Sequence, residues 1–448
     1  MAAGLGTRMR SRRPKVLHPV CGRPLLAYVL DVAVGVTGAR PVVVISPATE
    51  QIRAALGDAV DYAVQDVPRG TADAVRAGLT AVPADATEVI VLNGDVPLMA
   101  ESVVAALADL RRRHDAAVAL VTVDTADPGR LGRVVRDATG AVVRVVEAKD
   151  AAPEDLSIGE INAGLYAFDA AWLRRRLPAI EPSPVTGEYY LPLLVELAAA
   201  DGLTVAAHRV PDDGSLLGVN DRVQLAAAER ELHDRLVVRH QLAGVTVLDP
   251  ATTWLDATVE LDEDVILEPN VVLRGRTRVG RDSVIRTGSQ LVDSTVGERC
   301  TIWASVLESS VVEDDVRIGP FSHLRPGARI GAGAELGNFA EVKASTIGPG
   351  SKQHHFSYIG DTVVGANVNI GAGTITANYD GKRKHRTVIG DRAFIGSDTI
   401  LRAPITIGED AVTGAGSVVT HDVPPGQTVL GVPAREHRAR RAPDEPGS

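Results

Sequence analysis

Aromatic side chains are scarce. Phe, Trp and Tyr make up 3% of 448 residues, so any core must be built from Ala, Val, Leu and Ile. Cysteine is scarcer still. Cys21 and Cys300 stand alone in opposite halves, which excludes a disulfide framework and makes a reducing cytosol the natural setting. No run reaches the roughly 18 apolar residues of a membrane span. Basic residues number 47 against 57 acidic ones, a formal net charge of −10. That excludes a general nucleic-acid binder, which needs a basic footprint, although local Arg and Lys clusters can still hold anionic small molecules. Acidic residues are missing from the Arg-rich first 30 positions. This resembles a transit peptide superficially, but the motif described below explains the segment better.

Two periodicities divide the chain, whose length already favours more than one domain. Residues 1–210 alternate short apolar runs with helical ones. Strands are expected at Val42–Ser46, Glu88–Leu92 (buried) and Ala117–Val123. Helices are expected near Glu50–Leu56, Thr71–Ala81 and Glu101–Asp115. The alternation predicts a mainly parallel sheet with helices on both faces and a site at the carboxyl ends of its strands. Val223–Gln241 reads as a connecting helix. From Leu261 the period becomes six, through Leu267, Leu273, Val279, Ile285 and Leu291. It resumes at Val312, Ile318, Leu324, Ile330, Leu336 and Val342, then at Val364 and Ile370, and finally at Ile389, Ile395, Leu401, Ile407 and Thr413. Such a repeat suits a three-sided solenoid whose aliphatic residues point inward and whose core comes from stacking of coils. Asn378–Arg386 interrupts it, as a ligand-binding insertion would.

The front half opens with M-A-A-G-L-G-T-R-M and P-K, placing Arg8 and Lys15 beside a Gly-rich loop suited to phosphate. Gln65, G-T-A-D-A (residues 70–74), N-G-D-V-P-L (residues 93–98) and G-E-Y-Y (residues 187–190) follow in order. Asp95 comes just after an apolar run, where a strand-end carboxylate can hold a metal. The rear half carries H-L-R-P-G-A around Arg325, E-V-K ending at Lys343, H-H-F-S-Y-I-G-D, N-V-N-I-G-A-G-T and N-Y-D-G.

These strings resemble the bifunctional bacterial enzymes that make UDP-N-acetylglucosamine, over residues 1 to about 420. The resemblance implies a Rossmann-like α/β nucleotidyltransferase domain (1–218), a linker helix (219–243), a left-handed parallel β-helix acetyltransferase domain (244–435) and a disordered tail (436–448). It implies uridylyl transfer from UTP to N-acetylglucosamine-1-phosphate with Mg²⁺, after acetylation of glucosamine-1-phosphate by acetyl-CoA. For the first site it points to Met1, Ala2, Ala3, Gly4, Arg8, Lys15, Gln65, Gly70, Thr71, Asn93, Gly94, Asp95, Gly132, Glu147, Asn162 and Asn220, with Asp95 and Asn220 as metal ligands. For the second it makes His355 the general base and assigns the sugar phosphate to Arg325, Lys343, Tyr358, Asn369 and Lys384. Acetyl-CoA falls to Ala372, Asn378, Tyr379, Ser397 and Ala415. A cytoplasmic homotrimer is expected.

Three departures from the family pattern stand out. The Gly-rich loop begins at residue 1, so the front domain is expected to lack its first strand. Asp73 stands where these enzymes usually have His, and Gly431 stands where some carry a coenzyme-contacting Arg. Three alternatives follow from the same residues: an acetyltransferase with a silent front half, another pyrophosphorylase whose β-helix only assembles subunits, and a non-enzymatic nucleotide-exchange subunit.

Overall fold

The computed structural model describes residues 1–437. It divides into two compact units, Met1–Leu232 and the chain from His233 onward, the division falling within helix Arg222–Leu242.

In the first unit, β1 (Val42–Ile45) pairs in parallel with β2 (Asp61–Val64). β3 (Glu88–Val91) belongs to a separate sheet with β4 (Val118–Asp124), β5 (Arg133–Arg136), β6 (Val142–Val146), β7 (Glu160–Asp169) and β8 (Val205–Val210). The long β7 organises that sheet. Its second half pairs with β3, its first half meets β5, and β4 lies along its other edge. Helices α1 (Leu25–Thr37), α2 (Thr71–Gly78), α3 (Glu101–Arg113) and α4 (Leu193–Ala200) cover the sheets. Leu107, Leu120, Tyr166, Phe168 and Leu173 are fully buried among them.

Two expectations need correction. The sheet is not mainly parallel. Only β1–β2 and β4–β8 are parallel, because β5 and β6 form a hairpin closed at Asp137–Gly140 and β7 runs against β3, β4 and β5. Nor is residues 88–92 a buried strand: Glu88, Val89 and Ile90 are half-buried. β1 pairs only with β2 and β3 only with β7, so each has an edge with no strand beside it among the described residues.

The second unit is a left-handed parallel β-helix. Its faces are sheets of twelve, ten and nine strands, and up to Val412–Thr413 each strand pairs in parallel with the third strand after or before it in the chain. The hexad aliphatics named above fill the interior, and only Leu261 stays half-buried. The first break in the hexad is made by five-residue steps. Leu291, Val296, Ile302, Leu307 and Val312 are successive core residues, all buried, so the corner shortens while the inward position is kept. Asp and Asn repeatedly take the left-handed corner conformation, as at Asp264, Asn270, Asp282, Asp315 and Asn367, because their short polar side chains tolerate it.

Residues 436–437 depart from the expected tail. Ala434–Glu436 forms a hairpin strand against Thr428–Gly431, and the His437 N–H donates to the Thr428 carbonyl (2.9 Å). The rest of the expected disordered tail, 438–448, lies outside the described residues.

Candidate active sites

Chain geometry at the first residues builds the front site. The Met1 carbonyl accepts from Gly94 N–H (3.0 Å), its amine donates to Leu92 C=O (2.7 Å), and Ala2 N–H donates to Val44 C=O (2.9 Å). The loop is thereby held beside Asn93-Gly94-Asp95 at the carboxyl end of β3. Ala2 and Ala3 turn their side chains into the core, so only their backbone can face a ligand, while Gly4 is open to solvent. Gly6 has φ +58°, and a Cβ there would lie 2.6 Å from the Lys15 Cβ. Only glycine permits both the turn and the approach of Lys15.

Four predicted residues converge. The Lys15 ammonium contacts the Asp95 carboxylate and donates to Asn220 Oδ1 (3.1 Å). Arg8 Nη2 donates to the same oxygen (2.9 Å). Asn220 is set by Gln224, which accepts its N–H (2.8 Å), and by the Gly218 carbonyl, which accepts from its amide (2.9 Å). A carboxylate and an amide oxygen therefore aim at one cation, which here is the ammonium of Lys15. Hard oxygen donors of this kind suit Mg²⁺, which keeps waters and substrate phosphates as its other ligands. Asn93, Asp95, Asn162 and Asn220 line a cavity of about 160 Å³. The Gly132 carbonyl accepts from Asn162 N–H (2.9 Å) at its rim. Glu147, just after β6, has its pKa raised by burial and by nearby Asp150 and Glu188.

Gln65, Gly70 and Thr71 form their own cluster. Buried Gln65 donates to Asp73 Oδ2 (2.9 Å) and to the Gly70 carbonyl (3.2 Å). The Thr71 hydroxyl accepts from Leu191 N–H (2.9 Å), and the Tyr189 carbonyl from Ala72 N–H (2.9 Å), so the two motif strings are knitted together. Asp73 also takes Arg76 (3.1 Å) and Arg69 (3.6 Å).

The rear site lies on the ten-stranded face. Tyr358 pairs with Glu341, and Lys343 with Gly360 in the next coil. Arg325 N–H donates to the Val342 carbonyl, which sets Arg325 beside Lys343. Sequence reading missed the acids that hold these cations. Glu341 accepts from Arg325 (2.9 Å), and Asp361 meets Lys343 (3.6 Å) and Asn378 Nδ2 (2.5 Å). Asp361 closes the quoted string H-H-F-S-Y-I-G-D and could have been chosen for that reason. A Cβ on Gly360 would overlap the Tyr358 hydroxyl. The insertion closes on itself through Asp380, which accepts from Lys382 N–H, Arg383 N–H and His385 Nε2 (2.7 Å each). That returns Lys384 to Lys343, which lowers the Lys384 pKa. Tyr379 projects from the loop, 61% exposed. Arg329, Lys384 and Arg386 share a neighbouring cavity of about 390 Å³.

His354 and His355 do not occupy a strand. Both lie in the exposed corner between Lys352–Gln353 and Ser357–Gly360. His354 is tied to Glu335 (3.0 Å). No side-chain partner holds His355 among the described residues. Lys343 pairs with Gly360, five positions along the chain from His355. Asn369 sits around the corner on the twelve-stranded face, paired with Lys352. Register then aligns a column. Lys352, Asn369, Phe394 and Val412 stack in successive coils, which puts His355, Ala372, Ser397 and Ala415 at equivalent corner positions. Asp398 N–H donates to Ala372 C=O (2.6 Å) and Gly416 N–H to Ser397 C=O (2.7 Å). Three small side chains thus leave a track running from the imidazole.

Residues 1–138 match the MobA-like NTP transferase domain, and residues 309–344 and 386–421 match the bacterial transferase hexapeptide (six repeats). The bifunctional protein GlmU of Mycolicibacterium vanbaalenii is 44% identical over 95% of this chain and 88% of its own. That of Heliobacterium modesticaldum is 44% identical over 95% and 93%, and that of a Geobacillus species 42% over 95% and 92%. The chain belongs to the bifunctional GlmU family, which joins an N-acetylglucosamine-1-phosphate uridylyltransferase to a glucosamine-1-phosphate N-acetyltransferase.

Proposed function

We propose that the two clusters act in sequence on one aminosugar. The chain is a bifunctional enzyme of UDP-N-acetylglucosamine synthesis that acetylates glucosamine-1-phosphate and then transfers a uridylyl group to the product. The single observation that carries the residue assignments is that one chain holds both an Asp95–Lys15–Asn220–Arg8 cluster and an Arg325–Lys343–Lys384 cluster.

In the rear site, Arg325, Lys343 and Lys384 neutralise the sugar phosphate, with Tyr358 and Asn369 on the sugar. A phosphate between Lys343 and Lys384 replaces their mutual repulsion with two attractions. His355, as a neutral imidazole, takes a proton from the amine while its nitrogen attacks the thioester carbonyl. An amide forms, the C–S bond breaks, and the leaving thiolate takes the proton back from the imidazolium to depart as free thiol. Such base catalysis contributes about 10²–10⁴ in rate. Acetyl-CoA follows the Ala372–Ser397–Ala415 column, with Asn378 and Tyr379 at its side.

In the front site, a phosphate oxygen of N-acetylglucosamine-1-phosphate attacks the α-phosphorus of UTP and pyrophosphate leaves. Arg8 and Lys15 meet the charge that develops, while Met1, Ala2, Ala3 and Gly4 offer backbone N–H groups. Gln65, Gly70 and Thr71 face the base, and Gly94, Gly132, Glu147 and Asn162 the sugar. Asp95 and Asn220 would hold Mg²⁺, which supplies charge neutralisation at the phosphates; Lys15 must then move from those oxygens to the substrate.

The active form is assigned as a homotrimer. Phe321, Phe339 and Phe356 leave an exposed apolar ladder up one corner, 58%, 60% and 58% exposed, with Phe321 and Phe339 stacked at 5.4 Å. The cytoplasm suits Cys21 and Cys300, which are both buried and share no disulfide among the described residues.

A silent front half is the second reading, favoured by the open edges of β1 and β3. Purified protein should release thiol from acetyl-CoA with glucosamine-1-phosphate, and pyrophosphate from UTP with N-acetylglucosamine-1-phosphate. Thiol without pyrophosphate selects the second reading, and neither product rejects both.

A further inference from the structure

One column of the β-helix interior departs from the aliphatic rule. On the twelve-stranded face, register stacks the inward residues Leu267, Ile285, Ile302, Ile318, Leu336 and Gln353 in successive coils. Gln353 is fully buried at a position where the repeat otherwise places Leu or Ile. Its side-chain Oε1 has no hydrogen-bond partner among the described residues. Burying an unpaired amide oxygen is unfavourable, and an apolar residue of similar shape would remove that cost. Thr413, another polar residue in the same column, shows the contrast. Its hydroxyl accepts from Gly396 N–H (3.0 Å) and meets Thr399 Oγ1 (3.1 Å). A half-satisfied amide inside an apolar repeat marks a constraint other than packing.

The nitrogen end of the amide shows what that constraint is. Gln353 Nε2 donates to the Ser357 hydroxyl (2.9 Å), and that hydroxyl donates to the His355 carbonyl (2.9 Å). A hydroxyl has one proton, so a Ser357 that donates to the backbone must accept from Gln353. The relay therefore runs from the solenoid interior to the peptide that follows His355. The neighbouring coils hold the same corner. Gly337 N–H donates to the Gln353 carbonyl (2.9 Å), and Gly373 N–H to the Phe356 carbonyl (2.7 Å). His355 is exposed, and no side chain grips its imidazole among the described residues. The direction of that ring is thus set by the backbone that carries it.

We propose that Gln353 is a positioning residue for acetyl transfer: through Ser357 it fixes the His355 backbone and so aims the imidazole. The assignment rests on the reading of His355 as general base. The test measures steady-state thiol release by the full chain in Gln353→Met, Ser357→Ala and the double variant. Methionine keeps the length of the side chain and removes the amide. Gln353→Met should lower kcat about tenfold or more, the scale on which displacing a catalytic group acts. KM for both substrates should stay within about twofold. Its melting temperature should equal or exceed that of the parent, because the unpaired oxygen is gone. The double variant should lose no more than about twofold beyond the worse single one, since both changes break one relay. Unchanged kcat in Gln353→Met, or losses that multiply in the double variant, overturn the proposal. So does a fall in kcat that comes with a lower melting temperature and raised KM, which would make Gln353 structural only. His355→Ala separates the two levels. Thiol release that survives it overturns the reading of His355 together with this proposal. Its loss beside an unchanged Gln353→Met overturns this proposal alone.

Discussion

Lys15 shows how much of the front site depends on residues that never touch a substrate. Its ammonium reaches Asp95 and Asn220 only because Gly6 supplies a left-handed turn with no Cβ in the way. Gly6→Ala should therefore lower kcat/KM for uridylyl transfer by about tenfold or more, through strain of order 1–3 kcal/mol at that position, and leave acetyl transfer untouched. Steady-state kinetics of both half-reactions measures it; unchanged uridylyl transfer would remove Gly6 from the account. The convergence of Arg8, Lys15, Asp95 and Asn220 was legible because their types and order carry chemistry. Their partners were not. Glu341 and Asp361 read as ordinary surface acids until the coils stack and set them against Arg325 and Lys343, sixteen and eighteen positions away in the chain.

At the scale of elements, the β-helix was far more legible than the sheet. A period of six ties sequence spacing directly to inward-facing positions, and Leu267, Ile318, Leu336, Ile395 and Leu401 are all buried as that spacing requires. The α/β unit offers no such rule. Apolar runs at Val42 and Glu88 announce strands but not their partners, so the antiparallel course of β7 and the open edges of β1 and β3 could not be read. The corner column also emerges only from coil register. It predicts that Ala372→Leu, which narrows the track above His355, raises KM for acetyl-CoA about tenfold while KM for glucosamine-1-phosphate stays within about twofold. Equal rises in both constants would mean that the column does not serve the coenzyme.

For the whole molecule, stability should depend on pH through His240. This side chain is buried near the end of helix Arg222–Leu242, and burial lowers its pKa to about 4. An unfolded His binds its proton near pH 6.5. Between those values the unfolded state holds the proton that the folded state refuses, so stability is full above pH 6.5 and declines toward pH 4. The loss is no more than about 3 kcal/mol. His240→Gln should flatten that part of the curve, which calorimetry of both proteins from pH 4 to 7 will read; parallel curves would contradict the assignment.

The central claim is that one chain carries two chemically independent anion sites, one built on Asp95 and one on His355. Measuring thiol release and pyrophosphate release in His355→Ala and Asp95→Ala tests it most directly. His355→Ala should lower thiol release by about 10²–10⁴ and keep pyrophosphate release, while Asp95→Ala should do the reverse. Loss of both products in either variant, or intact thiol release in His355→Ala, would contradict it.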